Sequence, residues 1–186
     1  CAAQGAWITR NYRLERSLFI EHTGGRVFLH IFDRDGLPLR REEDRAALFQ
    51  ALKDGIIDCV STDHAPHTIQ EKEVEYIYAA NGISGLETAA PLIWTNFVAT
   101  GQMTMEEMAI AMSKRPAEIL GIEKGTLEAG RMADIVVLNP DAEKAVDRDQ
   151  FYSKGKNTPF HGTVLKGWPE LVVKGGRIVL NQGVLC

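Results

Sequence analysis

The stretch DCVSTDHAPHT, residues 58–68, holds a strand, its end and a cluster of reactive side chains. Asp58 through Thr62 continue an almost unbroken apolar run, IIDCVST (56–62). Strands buried on both faces read this way, and such strands are usually parallel. The chain then breaks into Asp63-His64-Ala65-Pro66-His67, one carboxylate and two imidazoles within five residues. In parallel α/β barrels the C-terminal ends of strands carry the chemistry. A carboxylate there can bind a divalent metal or take a proton from metal-bound water. His64 and His67 could ligate, orient a ligand or hold a substrate carboxylate. The same spacing also fits a capping aspartate with two solvent-exposed histidines, and D-H-x-x-H leaves both readings open.

Upstream, PLRREEDRAALFQALKDG (38–55) predicts a helix, with Ala47, Leu48, Ala51 and Leu52 on one face. Glu42, Glu43 and Asp44 suit its positive end, and Gly55 closes it. Helix and strand together make an αβ unit over 38–62. A second αβ unit is expected from RLERSLFIEHTGG (13–25), a helix ended by Gly24-Gly25, and RVFLHIF (26–32), a strand.

Downstream, GLETAAPLIWTNFVATG (85–101) is apolar with helical length. TMEEMAIAMSKRPAEILG (104–121) opens on a capping box, Thr104 with Glu107, and Pro116 is expected to break it into two pieces. After Gly121 the texture changes to short β runs punctuated by Gly, Pro and Asn, so 122–186 predicts a mostly β subdomain. VVKGGRIV (172–179) is a hairpin with Gly175-Gly176 at the turn.

Composition sets outer bounds. The 186 residues are 45% hydrophobic and 25% charged with net charge -4, an ordinary soluble composition. No basic patch argues for nucleic acid, and no run of about 18 apolar residues argues for a membrane span. Cys1, Cys59 and Cys186 form no CxxC pair, so neither a zinc ribbon nor a disulfide framework is expected. A reducing cytoplasm suits them. The chain opens on Cys1 rather than Met with no signal-peptide pattern, which reads as a missing natural beginning rather than a processed lipoprotein.

TDHAPH, then NGISGLETAAPL (81–92), then SKGKNTPFHGTVLKGWP (153–169), together with KRPAEILGI and GTLEAGRMADIVVLNP, resemble the class I dihydroorotases of the amidohydrolase superfamily. The matches stand in the family's order over residues 38–186. Allantoinases and hydantoinases share the plan, but the TDHAPH, GLET and GKNTPF strings favour dihydroorotase.

The resemblance implies an α/β fold, a (β/α) barrel of the TIM type with a small β-sandwich subdomain. It implies zinc, two ions per site, and reversible hydrolysis of dihydroorotate to N-carbamoyl-aspartate in pyrimidine biosynthesis. By position, Asp63 matches a metal-site aspartate that is also general base and acid. His67 and the backbone at Asn81-Gly82 match substrate contacts. His30, in RVFLH, resembles a strand-end metal histidine of the family's RVHIAHVST pattern; a plain surface or core histidine is the competing reading.

The family pattern also has gaps here. The five histidines form no HxH pair, and Gly36 in DGLPLR stands where the family has asparagine. A TIM barrel takes roughly 250 residues, rarely below 200. The expectation is therefore a partial barrel of two or three strands over 1–121, with 122–186 as the β subdomain. This chain alone is expected to be catalytically incomplete, with exposed strand edges suited to association as a homodimer or with a transcarbamoylase. An inactive assembly partner, and an allantoinase or hydantoinase, are the alternatives.

Of the remaining residues, Glu87 in GLET reads as a helix cap or as support for the loop. His161, Lys154 and Lys156 read as loop residues. Cys59, Trp94, Trp168 and the stripe Met103, Met105, Met108, Met112 read as core.

Overall fold

The computed structural model describes residues 19–23, 26–30, 42–75 and 78–186. Strand β1 (Phe19–Thr23) pairs antiparallel with β2 (Arg26–His30), in the register Thr23↔Arg26 to Phe19↔His30. The helix expected over 13–25 is thus corrected at its C-terminal end: FIEHT is a strand. The pairing with β2 defines that strand, and residues 24–25 lie outside the described residues.

Helix α1 (Glu42–Lys53) then carries the chain to β3 (Cys59–Ser61), which lies parallel to β2 with His30 opposite Ser61. Parallel neighbours require such a crossover, and a helix is its usual form. In α1 the inward face is Arg45, Leu48, Phe49 and Leu52, spaced i, i+3, i+4, i+7, with Phe49 the buried anchor. Ala47, expected on that face, is exposed. The buried Phe49 ring, with the Lys53 ammonium 5.9 Å from its centroid, takes the place on that face. Gly55, at φ 72, swings the backbone out of the helix at little cost. Cys59 and Val60, on opposite faces of β3, are both buried, as the apolar run implies.

The described chain forms two compact units. One comprises the described residues up to Ala89 with Asp147–His161, and the other comprises Ala90–Val146 with Gly162–Cys186.

In the second unit the helical segments are less regular than expected. Helix α3 (Ala89–Ile93) runs into a π-helical turn, Trp94–Val98, and α4 (Met105–Ala109) into another, Ile110–Lys114. The Thr104–Glu107 capping box is present at the start of α4. Pro116 does not split this segment. It falls in the first turn of α5 (Arg115–Leu120), just after the wide π turn in which the Arg115 N–H reaches the Ile110 carbonyl. The missing proline N–H falls where the ladder is already rearranged. Gly121, left-handed at φ 65, ends α5. Met103 and Met108 are buried, but Met105 is 66% exposed, so the methionine stripe is core only in part.

Strands β4 (Ile135–Ala145), β5 (Val164–Lys174), β6 (Arg177–Asn181) and β7 (Val184–Leu185) form an antiparallel meander. Gly175 and Gly176 have φ of 58 and 78, the pair of positive values that a two-residue type I′ hairpin needs. The Asn139 side chain accepts the backbone N–H groups of Asp141 and Ala142, which bends β4 where its register shifts. No helix among the described residues is long and apolar enough to cross a membrane.

Candidate active site

Asp63 stands two residues past the end of β3, exposed, with its backbone left-handed at φ 45. His30 ends β2 at the same edge of the parallel pair, opposite Ser61. The sheet therefore brings these two sequence-predicted residues to one strand edge.

His64 follows and is half-buried. Its backbone forms an isolated parallel bridge with Ile83, and the Ala65 N–H donates to the Ile83 carbonyl at 3.0 Å. Its Nδ1 accepts the Gly85 N–H at 3.1 Å and the Leu86 N–H at 3.4 Å. His67 lies with Nδ1 3.6 Å from Glu71 Oε2. Glu71 belongs to a second capping box. Thr68 caps the short helix α2 (Ile69–Lys72) and accepts the Glu71 N–H, while Glu71 Oε2 accepts the Thr68 N–H at 2.8 Å. That backbone bond, then the Thr68 hydroxyl and more weakly His67, holds the Glu71 carboxyl below its usual range.

The loop at Asn81-Gly82 is tied from below and beside. The Lys72 ammonium donates to Ala80 O at 2.7 Å and Gly82 O at 3.0 Å, the carbonyls on either side of Asn81. Burial pushes that ammonium's pKa down. Asn157 Nδ2 donates to the same Gly82 oxygen at 3.4 Å. Gly82 takes φ 119, and a Cβ there would sit 2.5 Å from Ala65 Cβ, so only glycine fits against the Asp63–His67 loop. Asn81 itself is exposed.

A third segment, 151–158, closes the network. The Ser84 N–H donates to Asn157 O at 2.7 Å, and the Ser84 hydroxyl donates to Gly155 O. Glu87 takes the N–H groups of Tyr152 at 2.9 Å and Ser153 at 3.0 Å, one on each carboxylate oxygen. Glu87 is thus loop support. Gly155 lies so close to Pro66 and His67 that a Cβ would come 2.6 Å from Pro66 Cβ. Lys156 donates to Phe151 O, and His161 Nδ1 accepts the Arg148 N–H at 3.2 Å, both loop roles. Lys154 is exposed. The strings TDHAPH, GLET and GKNTPF are therefore one physical cluster, although Gly155 stands 88 positions after His67 (155 − 67).

Sequence reasoning missed Lys72, Ser84 and Asn157. Their partners are main-chain atoms of other loops, and no spacing rule points to such atoms. The available signal was that three strings of one family, distant in sequence, belong to a single site.

The described residues contain no group of three His, Cys, Asp or Glu side chains placed to hold a metal ion. Asp63 and His30 share an edge but do not complete a centre by themselves. Asp63 is an exposed carboxylate at a strand end, with backbone amides and carbonyls of three loops held nearby. An exposed carboxylate of this kind can accept and return a proton.

The chain belongs to the amidohydrolase family, whose model matches residues 1–179. Within it the chain is similar to dihydroorotases. It is 50% identical over 148 residues to that of Pelotomaculum thermopropionicum, covering 80% of this chain and 35% of the relative. It is 51% identical over 146 residues to that of Listeria monocytogenes, covering 78% and 34%. Among solved structures, the L-hydantoinase of Arthrobacter aurescens superposes with a TM-score of 0.75 at 35% identity, covering 81% of this chain and 35% of that one. The D-hydantoinase of Thermus sp. gives 0.74 at 28% identity, covering 80% and 34%. These neighbours and the family give the chain a TIM-barrel-like fold. The chain spans about a third of the length of the relatives it matches.

Proposed function

We propose that this chain is the carboxyl-terminal part of a dihydroorotase-type cyclic amidohydrolase. The reaction is reversible hydrolysis of the ring amide of dihydroorotate to N-carbamoyl-aspartate, in pyrimidine biosynthesis. Water adds to the ring carbonyl carbon, the ring C–N bond breaks, and a proton goes to the departing nitrogen. The observation that carries this reading is the hydrogen-bonded junction of the TDHAPH, GLET and GKNTPF loops beside Asp63, in a chain about half identical to dihydroorotases.

Asp63 holds the proton taken from water and returns it to the leaving nitrogen. Its exposed place at the end of β3 supports that role. His67 and the backbone at Asn81-Gly82 bind the substrate. Lys72 and Asn157 occupy the Gly82 carbonyl, so the loop is held by its inner side. Amidohydrolases are generally metal-dependent. We assign zinc, two ions per site, with Asp63 and His30 among the ligands and the rest from outside the described residues. Zinc lowers the pKa of bound water to about 7 when present. The functional division is 1–121 as a part of the (β/α) barrel and 122–186 as its β subdomain. The setting is cytoplasmic, with association as a homodimer or with a transcarbamoylase.

The test is a substrate panel of dihydroorotate, hydantoin, dihydrouracil and allantoin on zinc-supplemented protein, with zinc per chain measured on the same sample. Preferential turnover of dihydroorotate, lost in Asp63→Ala, supports the proposal. Preference for another ring contradicts the substrate, and unchanged turnover in Asp63→Ala contradicts the role of that residue. Gly36, where the family has asparagine, and the lack of an HxH pair in the sequence motivate one second reading, an inactive dihydroorotase-like assembly partner. Negligible zinc with no turnover of any ring would select it.

A further inference from the structure

Asp63 and Gln182 are the non-glycine residues with positive φ among the described residues, and Asp63 sits at the strand end. A left-handed backbone is costly for an L-residue, somewhat less so for aspartate. Such a conformation persists where the surroundings impose it. The surroundings here lie on the next two residues. His64 is bridged to Ile83, the Ala65 N–H is bonded to Ile83 O, and His64 Nδ1 receives the Gly85 and Leu86 N–H groups.

Those two amides open the 3-10 turn Leu86–Thr88, and its N-cap residue, Gly85, has no side chain to serve them. First-turn N–H groups need an acceptor from elsewhere. His64 supplies it from 21 residues away. An imidazole nitrogen that accepts from an N–H carries a lone pair, so the proton of the neutral ring sits on Nε2. An imidazole bound to a metal through Nε2 would carry its proton on Nδ1, against two N–H donors.

We infer that His64 is a positioning residue: its unprotonated Nδ1 anchors the Gly85 and Leu86 amides, and that anchor fixes Asp63 in its left-handed conformation at the strand end. What Asp63 does once fixed rests on the function proposed above. The anchor itself does not.

The test is NMR on the isotopically labelled protein, with variants His64→Leu and His64→Asn. Leucine removes the acceptor, whereas the asparagine Oδ1 can stand near the position of Nδ1. Long-range proton–nitrogen spectra of the unsubstituted protein are expected to show His64 with its proton on Nε2. In His64→Leu, hydrogen exchange at Gly85 and Leu86 is expected to speed up by about ten-fold. The Asp63 Cα shift should move away from left-handed values, and His64→Asn should restore both readouts. A proton on Nδ1 in the unsubstituted protein would overturn the inference. So would an Asp63 shift that stays put while the Gly85 and Leu86 amides are released. If His64→Leu fails to fold, the tautomer and the asparagine variant still decide. None of these readouts requires turnover, so a protein without dihydroorotase activity leaves the anchor tested, and a failed anchor leaves the substrate reading intact.

Discussion

Glu87 receives the Ser153 N–H at 3.0 Å through Oε1, and its other oxygen takes the Tyr152 N–H at 2.9 Å. One carboxylate thus joins the turn after the Asn81-Gly82 loop to a segment more than 60 residues further on. A charged acceptor shared by two successive amides is among the stronger hydrogen-bond arrangements.

Glu87→Gln keeps one oxygen and sets an NH₂ against one of the two N–H donors. We expect a loss of about 1–3 kcal/mol in urea unfolding. Glu87→Ala should lose at least as much, with faster amide exchange confined to 152–153.

Lys72 should matter through the carbonyls of Ala80 and Gly82. Lys72→Met leaves Ala80 O without that donor, while Gly82 O retains Asn157. The expected cost is about 1–3 kcal/mol. Hydrogen exchange across 78–86 is the measurement that separates this from a general loss of stability. Loosening should be concentrated in that loop, with the meander β4–β7 unaffected.

Gly82→Ala and Gly155→Ala press the same place from two sides. The first meets Ala65 and forces an alanine to φ 119; the second meets Pro66 and the His67 backbone. Each should destabilise by about 1–3 kcal/mol or more in chemical denaturation. Gly55→Ala, with open space around its Cβ, should cost only the backbone term of about 1 kcal/mol.

Asp134, in the second unit, offers a pH test. Lys124 first, then Lys174, each at 2.7 Å, and the Gly175 N–H hold its carboxyl far below the ordinary range. The folded pKa lies below the unfolded one. Its contribution is therefore fully present above an unfolded pKa of about 3.9 and is lost as pH falls towards the folded value. Unfolding curves of the unsubstituted protein and Asp134→Asn should differ at pH 6 and converge as pH falls below about 3.9. A constant difference down to the acid limit would show that the lysines do not set it.

How much of this was readable in the sequence depended on range. The Thr104–Glu107 box and the Gly175-Gly176 turn are local patterns, and both stand as read. The run through Cys59 and Val60 likewise announced a strand buried on both faces. The Thr68–Glu71 box has the same spacing as the first, yet the histidines beside it drew attention to metal chemistry instead. FIEHT is a strand because it pairs with β2, a long-range partner that its own residue pattern does not name. The π turns at 94–98 and 110–114 have no simple periodic mark. Within the site, Asp63 and His67 stood out by residue type. Lys72, Ser84 and Asn157 did not, because they serve backbone atoms of distant loops.

The most direct test joins this chain to a relative. Residues 38–186 would replace the matching part of the Pelotomaculum thermopropionicum dihydroorotase, to which the chain is 50% identical over 148 residues. Dihydroorotate turnover would then be measured in the chimera with Asp63 intact and with Asp63→Asn. The account predicts turnover in the first and at least a hundred-fold less in the second, a size of about that order for a lost general base. A folded, zinc-loaded chimera that is inactive with Asp63 intact, or equally active without it, would contradict the account.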